Sequence, residues 1–179
     1  MNYLERAALR RNAHSVTTHC VLSAGIPLRT ITDLLKGQAV TWDITREYLN
    51  TSVDKEIMQI DPALAGSHLA RLADEHEFVL FESFSTDLIG HKGSMDDAEI
   101  VLGRLNHFFE GLLNSIHSSS SLVICSDHGN IEDIAVATHT KNQVPLLVWG
   151  SAAPFFTGIT AIDQVEEAVH NFLIQKNIV

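Results

Sequence analysis

Basic residues are scarce in this chain: 12 Lys and Arg stand against 22 Asp and Glu in 179 residues, a formal charge of -10. So little positive charge leaves no electrostatic footprint for nucleic acid. Cysteine is scarcer still. Cys20 and Cys125 lie far apart, so no disulfide framework is indicated, and Cys125, inside an apolar run, reads as a small buried thiol. No apolar run reaches membrane-spanning length, and Met1 leads into the charged segment Glu5-Arg6-Ala7-Ala8-Leu9-Arg10-Arg11 in place of a signal peptide. These absences predict a cytoplasmic protein with neither a nucleic-acid nor a membrane partner. No internal repeat is visible, and 45% apolar residues suffice for one substantial core, so residues 1–179 read as a single domain.

What is present follows an α/β rhythm. Phe78–Glu82, Ser121–Ser126 and Val144–Trp149 are short, nearly continuous apolar runs that suit strands buried on both faces. Between the first two, Ser94 and the acids after it mark a helix start. Ile100, Leu102, Leu105, Phe108, Phe109, Leu112, Leu113 and Ile116 outline its buried stripe. Asp61 with Pro62 opens another helix through Leu64, Leu69 and Leu72 towards His76, and a last one runs roughly from Ile162 to Gln175. Thr30 to Gly37 reads as a short helix with a hydroxyl cap and a terminal glycine, Trp42 to Glu47 as a turn into a further helix, and Asn50 to Ile60 as an exposed linker. Strand, helix, strand, helix predicts a mainly parallel sheet with helices on both faces, and function at the carboxyl ends of its strands.

The chemistry-bearing residues gather near those strand ends. Asp87-Leu-Ile-Gly-His91, Ser126-Asp127-His128-Gly129-Asn130 and His139-Thr140-Lys141-Asn142 bring carboxylates and imidazoles to three loops. These are the side chains that hold Zn²⁺ or Mn²⁺. Asp87 and His91 are four apart, with Gly90 allowing a turn to aim both at one point. An acid and an imidazole leaving a buried strand end, as Asp127 and His128 do, are costly to bury unless a cation compensates them. The histidines at 14, 19, 68, 76, 107, 117 and 170 lie in stretches without such partners and read as surface or half-buried residues.

In order and spacing, Asp-x-x-Gly-His, Ser-Asp-His-Gly-Asn-x-Glu and His-Thr-x-Asn-x-Val-Pro resemble the C-terminal half of the alkaline phosphatase superfamily. The nearest branch is the metalloenzyme domain of cofactor-independent phosphoglycerate mutase and phosphopentomutase. The resemblance covers about Phe78 to Trp149, and Gln143 stands where a proline is usual. It implies an alkaline-phosphatase-like fold in which Asp87, His91 and His139 hold one metal and Asp127 with His128 ligate a second. It also implies two Mn²⁺ or Zn²⁺ ions, a phosphorylated small-molecule substrate and a phosphoserine- or phosphothreonine-type intermediate. Two family features are missing: no Asp-Gly ends an N-terminal strand, and Ser15, Thr17 and Thr18 follow no such turn, so the nucleophile is not evident. The expectation is the C-terminal portion of such a metalloenzyme domain, binding about one ion, inactive alone and prone to self-association through an exposed sheet edge. A non-catalytic metal-binding or interaction module derived from that superfamily is the alternative.

Overall fold

The computed structural model describes residues 15–178. In chain order the described elements are α1 (Val16–Ser23), α2 (Ile31–Leu35), α3 (Glu47–Ser52), α4 (Pro62–Glu75), α5 (Ser85–Lys92), α6 (Met95–Ser115), β1 (Leu122–Cys125), β2 (Leu146–Trp149) and α7 (Asp163–Ile178). Short 3₁₀ turns at Ile131–Asp133 and Ala153–Phe156 flank β2 in sequence. Local chemistry sets the helix starts. Asp61 Oδ1 accepts from the amides of Ala63 and Leu64 at 2.9 and 3.3 Å, and Pro62 occupies a position that donates no hydrogen bond. Reciprocal capping boxes start α2 at Thr30 and Asp33 and α6 at Ser94 and Asp97. Among the described residues no helix is long and apolar enough to cross a membrane.

Two apolar clusters hold these elements. The first joins Ile44, Ala65 and Phe108, with Phe81, Leu69, Leu105 and Phe109 packed around them. The Phe81 and Phe108 rings lie 5.2 Å apart. Here α4 and α6 meet backbone to backbone. A Cβ at Gly66 would overlap the Phe108 carbonyl, and one at Gly111 the Ala63 carbonyl, so the two glycines set the distance of closest approach. The second cluster, Ala152, Phe156 and Ala168, seats α7 against Val123, Leu146 and Val148 of the sheet.

The sheet departs from expectation. β1 and β2 pair antiparallel, with Leu122 opposite Trp149 and Cys125 opposite Leu146. A parallel partner needs a long crossover, usually helical. Residues 126–145 carry only a 3₁₀ turn and return directly. Along β2, Leu146 and Val148 pack inward while Leu147 and Trp149 are exposed, the alternation of a sheet covered on one face. Phe78–Glu82 forms no strand among the described residues. Phe81 turns into the core, and Phe78 and Leu80 face outward.

Further corrections follow from how α6 and the segments around it sit. Its buried face runs through Ala98, Val101, Phe108, Gly111 and Leu112, while Ile100, Leu102 and Leu113 are exposed. On α4, Leu64 is exposed and Ala65, His68, Ala70 and Leu72 are buried, so this histidine is no surface residue. The predicted linker from Asn50 begins inside α3, buries Ile57 and ties Ile60 N to Thr45 O at 3.1 Å. Cys125, at the end of β1, is exposed, not buried.

Two glycines of α6 test this packing. Gly103 meets nothing where a Cβ would be, so Gly103→Ala should stabilise the protein by about 1 kcal/mol through helix propensity. Gly111→Ala should instead destabilise it, since overpacking of about 1–3 kcal/mol outweighs that gain. Urea denaturation measures both, and equal midpoints for the two variants would contradict the close crossing.

Candidate metal centre

Asp87 and His91 stand in the first and last turns of α5, four residues apart and so on one helix face. The sequence suggested a turn at Gly90, but the segment is helical and the glycine serves a different purpose. A Cβ there would overlap the Asn130 carboxamide, so its absence lets the loop after β1 press against α5. That loop carries Asp127 and His128, and the chain returning towards β2 carries His139.

Four of the five candidate ligands converge on one atom. Asp87 Oδ1 lies 3.3 Å from His91 Nε2, 3.3 Å from His139 Nε2 and 3.9 Å from His128 Nε2. His91 Nε2 and His139 Nε2 are 3.1 Å apart. Donors bound to one tetrahedral ion at about 2.0–2.1 Å are separated by about 3.3 Å. The Asp87, His91, His139 triangle therefore has the dimensions of one face of such a coordination shell. A second, overlapping set is also compact: the ligand atoms of Asp87, His128 and His139 all lie within 4.8 Å of one another. The edges of the first triangle run from 3.1 to 3.3 Å, whereas Asp87 Oδ1 to His128 Nε2 in the second set is 3.9 Å. The His128 ring stacks on His139 with centroids 3.5 Å apart. Asp127 Oδ2 is 3.4 Å from His128 Nε2, and its side chain is 80% exposed, so it stands on the outer side of the cluster.

The His91 ring is held by a backbone contact. His91 Nδ1 lies 2.9 Å from the Ala137 carbonyl. A carbonyl only accepts, so Nδ1 carries the proton and Nε2 presents a lone pair to the Asp87 side. His128 Nδ1 is buried and has no such partner. Asn130 Nδ2 donates to Asp87 Oδ1 at 2.9 Å and to the Asp87 carbonyl at 3.3 Å, which fixes the carboxylate between helix and loop.

Glu132 closes the arrangement. Its carboxylate accepts from the Thr140 hydroxyl, from Asn142 Nδ2 at 3.0 Å and from Asn130 N at 2.6 Å. The segment bearing His128 is thereby tied to the segment bearing His139. The Thr140 hydrogen bond foremost, helped by Asn142 and Asn130, holds the Glu132 carboxyl down at about 2. A depressed carboxylate pKa stabilises the fold above the ordinary value of about 4.5 and ceases to do so as pH falls towards 2. Glu132 is thus ionised throughout the range where histidine titrates. Sequence reasoning had assigned no role to Asn130, Glu132, Thr140 or Asn142. Their signal was a carboxylate and three hydrogen-bonding side chains recurring inside the same motifs.

The sequence named no nucleophile, and the hydroxyls of Ser15, Thr17 and Ser126 make hydrogen bonds within the protein. Ser15 Oγ caps α1 by accepting from Thr18 N, and Thr17 Oγ1 donates to Glu82 Oε2 at 2.7 Å. Ser126 Oγ donates to the His128 carbonyl and shapes the loop.

A helix-presented Asp/His pair met by His-bearing loops from the end of a sheet defines a metal-binding α/β protein. The family model of the Metalloenzyme superfamily matches residues 40–172, and the chain belongs to that family. Two relatives are 2,3-bisphosphoglycerate-independent phosphoglycerate mutases. The one from Wolbachia pipientis wMel is 27% identical over 85 residues, 42% of this chain and 17% of the relative. The one from Syntrophotalea carbinolica is 29% identical over 101 residues, 49% of this chain and 18% of the relative. The aligned part thus spans less than a fifth of either relative's length. No solved structure matches the chain. Family membership implies divalent-metal binding and a metal-dependent phosphoryl-transfer lineage.

Two titrations test the geometry. Removing the Asn130 support with Asn130→Ala should weaken Mn²⁺ or Zn²⁺ binding about tenfold or more, as loss of a group that orients a ligand does. Affinity should also fall between pH 7.5 and about 5.5 as imidazole, with a reference pKa of about 6.5, protonates. Calorimetry reads both. Unchanged affinity across that interval would remove imidazole from the ligand set, since Glu132 does not titrate there.

Proposed function

We propose that this chain is the metal-binding portion of a two-metal phosphoryl-transfer enzyme of the phosphatase or phosphomutase type. The observation that carries the reading is the near-equilateral triangle of Asp87 Oδ1, His91 Nε2 and His139 Nε2. In this reading those three residues hold one ion, Mn²⁺ or Zn²⁺, for which a mixture of carboxylate and imidazole is suited. Asp127 and His128 contribute half of a second site, and the exposure of Asp127 leaves its carboxylate free for it. Two such ions would supply positive charge to the oxygens of a transferring phosphoryl group and lower the barrier electrostatically.

The chain's own residues have defined tasks. Asn130 orients Asp87, the Ala137 carbonyl fixes the His91 tautomer, and Glu132 keeps the two ligand loops in register. The ligand for a complete enzyme is a phosphorylated small molecule, by likeness to the mutase relatives. Cytoplasmic location and a mainly parallel sheet in the complete protein belong to the same proposal. So does self-association at the outward face of β2, where Leu147 is 60% and Trp149 44% exposed. Sedimentation showing only monomer at high concentration would remove that last part.

The nucleophile and an anionic ligand of the second ion are then supplied from outside the described residues. Residues 1–179, loaded with Mn²⁺ or Zn²⁺, should hydrolyse p-nitrophenyl phosphate no faster than their metal-free control. Fusion to a natural upstream segment that supplies an Asp-Gly strand end and a Ser or Thr turn should confer activity. Asp127→Asn or His128→Ala should abolish that activity. Robust metal-dependent turnover by residues 1–179 alone would overturn this division of the site.

A further inference from the structure

A second polar cluster lies among residues that take no part in the metal centre. Arg46 is 6% exposed and His68 9%, both far below what is usual for such side chains. The Arg46 guanidinium donates from Nη2 to the Leu34 carbonyl at 2.9 Å, while its Nε has no partner. His68 Nδ1 is likewise buried and unpartnered. Gly37 N donates to the same Leu34 carbonyl at 3.1 Å. Where a Gly37 Cβ would stand, Arg71 Nη2 is 2.7 Å away, His68 Cε1 2.9 Å and His68 Nε2 3.0 Å. Arg71 and His68 of α4 therefore meet over one glycine at the end of α2, and Arg46 from the 41–46 turn shares the Leu34 carbonyl with that glycine's amide.

Nothing acidic compensates them among the described residues. Burial alone lowers the Arg46 pKa, with no carboxylate opposing it. Burial first, then Arg71 and Arg46, lowers that of His68. Of the carboxylates on the adjoining segments, Asp33 accepts from Thr30 N and Oγ1 and Asp43 Oδ2 from Tyr48 N, while the buried Asp43 Oδ1 has no partner and makes no ion pair with Arg46. The backbone that delivers Arg46 is itself strained. Ile44 and Arg46 hold φ of 69° and 66°, a conformation unfavourable for a β-branched residue. A buried guanidinium with a free N–H, set in strained backbone beside two more basic groups, is costly to maintain without a counter-charge.

We propose that Arg46, His68 and Arg71 form an oxyanion site that takes a phosphate group. Two fixed guanidinium charges, and an imidazole able to gain a proton beside an anion, match a doubly charged tetrahedral ion better than a singly charged carboxylate. Arg71, whose side chain reaches the surface, closes on the anion from the solvent side, and Arg46 provides charge from within.

The test follows the His68 Cε1–H resonance, assigned with His68→Gln, in metal-free protein at fixed pH and ionic strength. Inorganic phosphate should displace it saturably, with a Kd on the order of 1 mM or tighter. Arg71→Gln, an exposed change that spares the core, should weaken this binding about tenfold, the loss of one charge-assisted contact. His139→Ala should leave it unchanged, which separates this site from any phosphate held at the metal centre. Acetate in place of phosphate should bind more weakly. A resonance that drifts linearly with added salt, equal response to acetate and phosphate, or full binding by Arg71→Gln would each overturn the proposal.

Discussion

One carboxylate oxygen organises the centre of this protein. Asp87 Oδ1 faces three imidazole nitrogens and accepts from Asn130, so a helix, the loop after β1 and the segment before β2 all meet at it. That meeting requires Gly90, because any side chain there would displace Asn130 from α5. It also requires the Glu132 carboxylate, which binds the two loops by their Thr140, Asn142 and Asn130 donors. Clustered imidazoles around one acid satisfy a cation far better than they satisfy each other. The hydrogen-bonded His91 and His139 nitrogens, 3.1 Å apart, occupy positions a shared ion would use.

That Asp87, His91, His128 and His139 come together was legible in the sequence because the three motifs carry unusual residue types at fixed offsets. Their supports were less so. Asn130 and Glu132 stand inside the same motif, but only the fold reveals that one orients a carboxylate and the other ties two loops. Helix starts were readable where chemistry is local, as at Asp61, Ser94 and Thr30. The helix faces were not. On α6 the sequence offers apolar residues at Ile100, Leu102 and Leu113 as readily as at Val101 and Leu112, and the glycine-mediated crossing with α4 decides between them. The antiparallel direction of the β1–β2 pair was not legible for a similar reason. A short apolar run such as Val144–Trp149 does not say which of its faces is covered, and Leu147 and Trp149 are exposed.

An acidic chain thus carries its few basic groups in selective places. Arg46 is enclosed, and Arg71 stands over the same glycine beside His68. The candidate metal-binding side chains, in contrast, remain partly open, with His139 half-exposed and Asp127 more so. Half-open ligands suit a site that is completed by further groups, whereas an enclosed cation implies an internal charge requirement. The two clusters therefore make different demands: one calls for a cation and the other for an anion.

The account rests on a single ion held by Asp87, His91 and His139. X-ray absorption of the protein loaded with one equivalent of Zn²⁺ examines this directly. The prediction is a shell of nitrogen and oxygen at about 2.0–2.1 Å with two imidazoles, reduced to one imidazole in His91→Ala and in His139→Ala but unchanged in Asp127→Asn. A shell that keeps both imidazoles in His91→Ala, or that loses one only in His128→Ala, would contradict it and place the ion elsewhere.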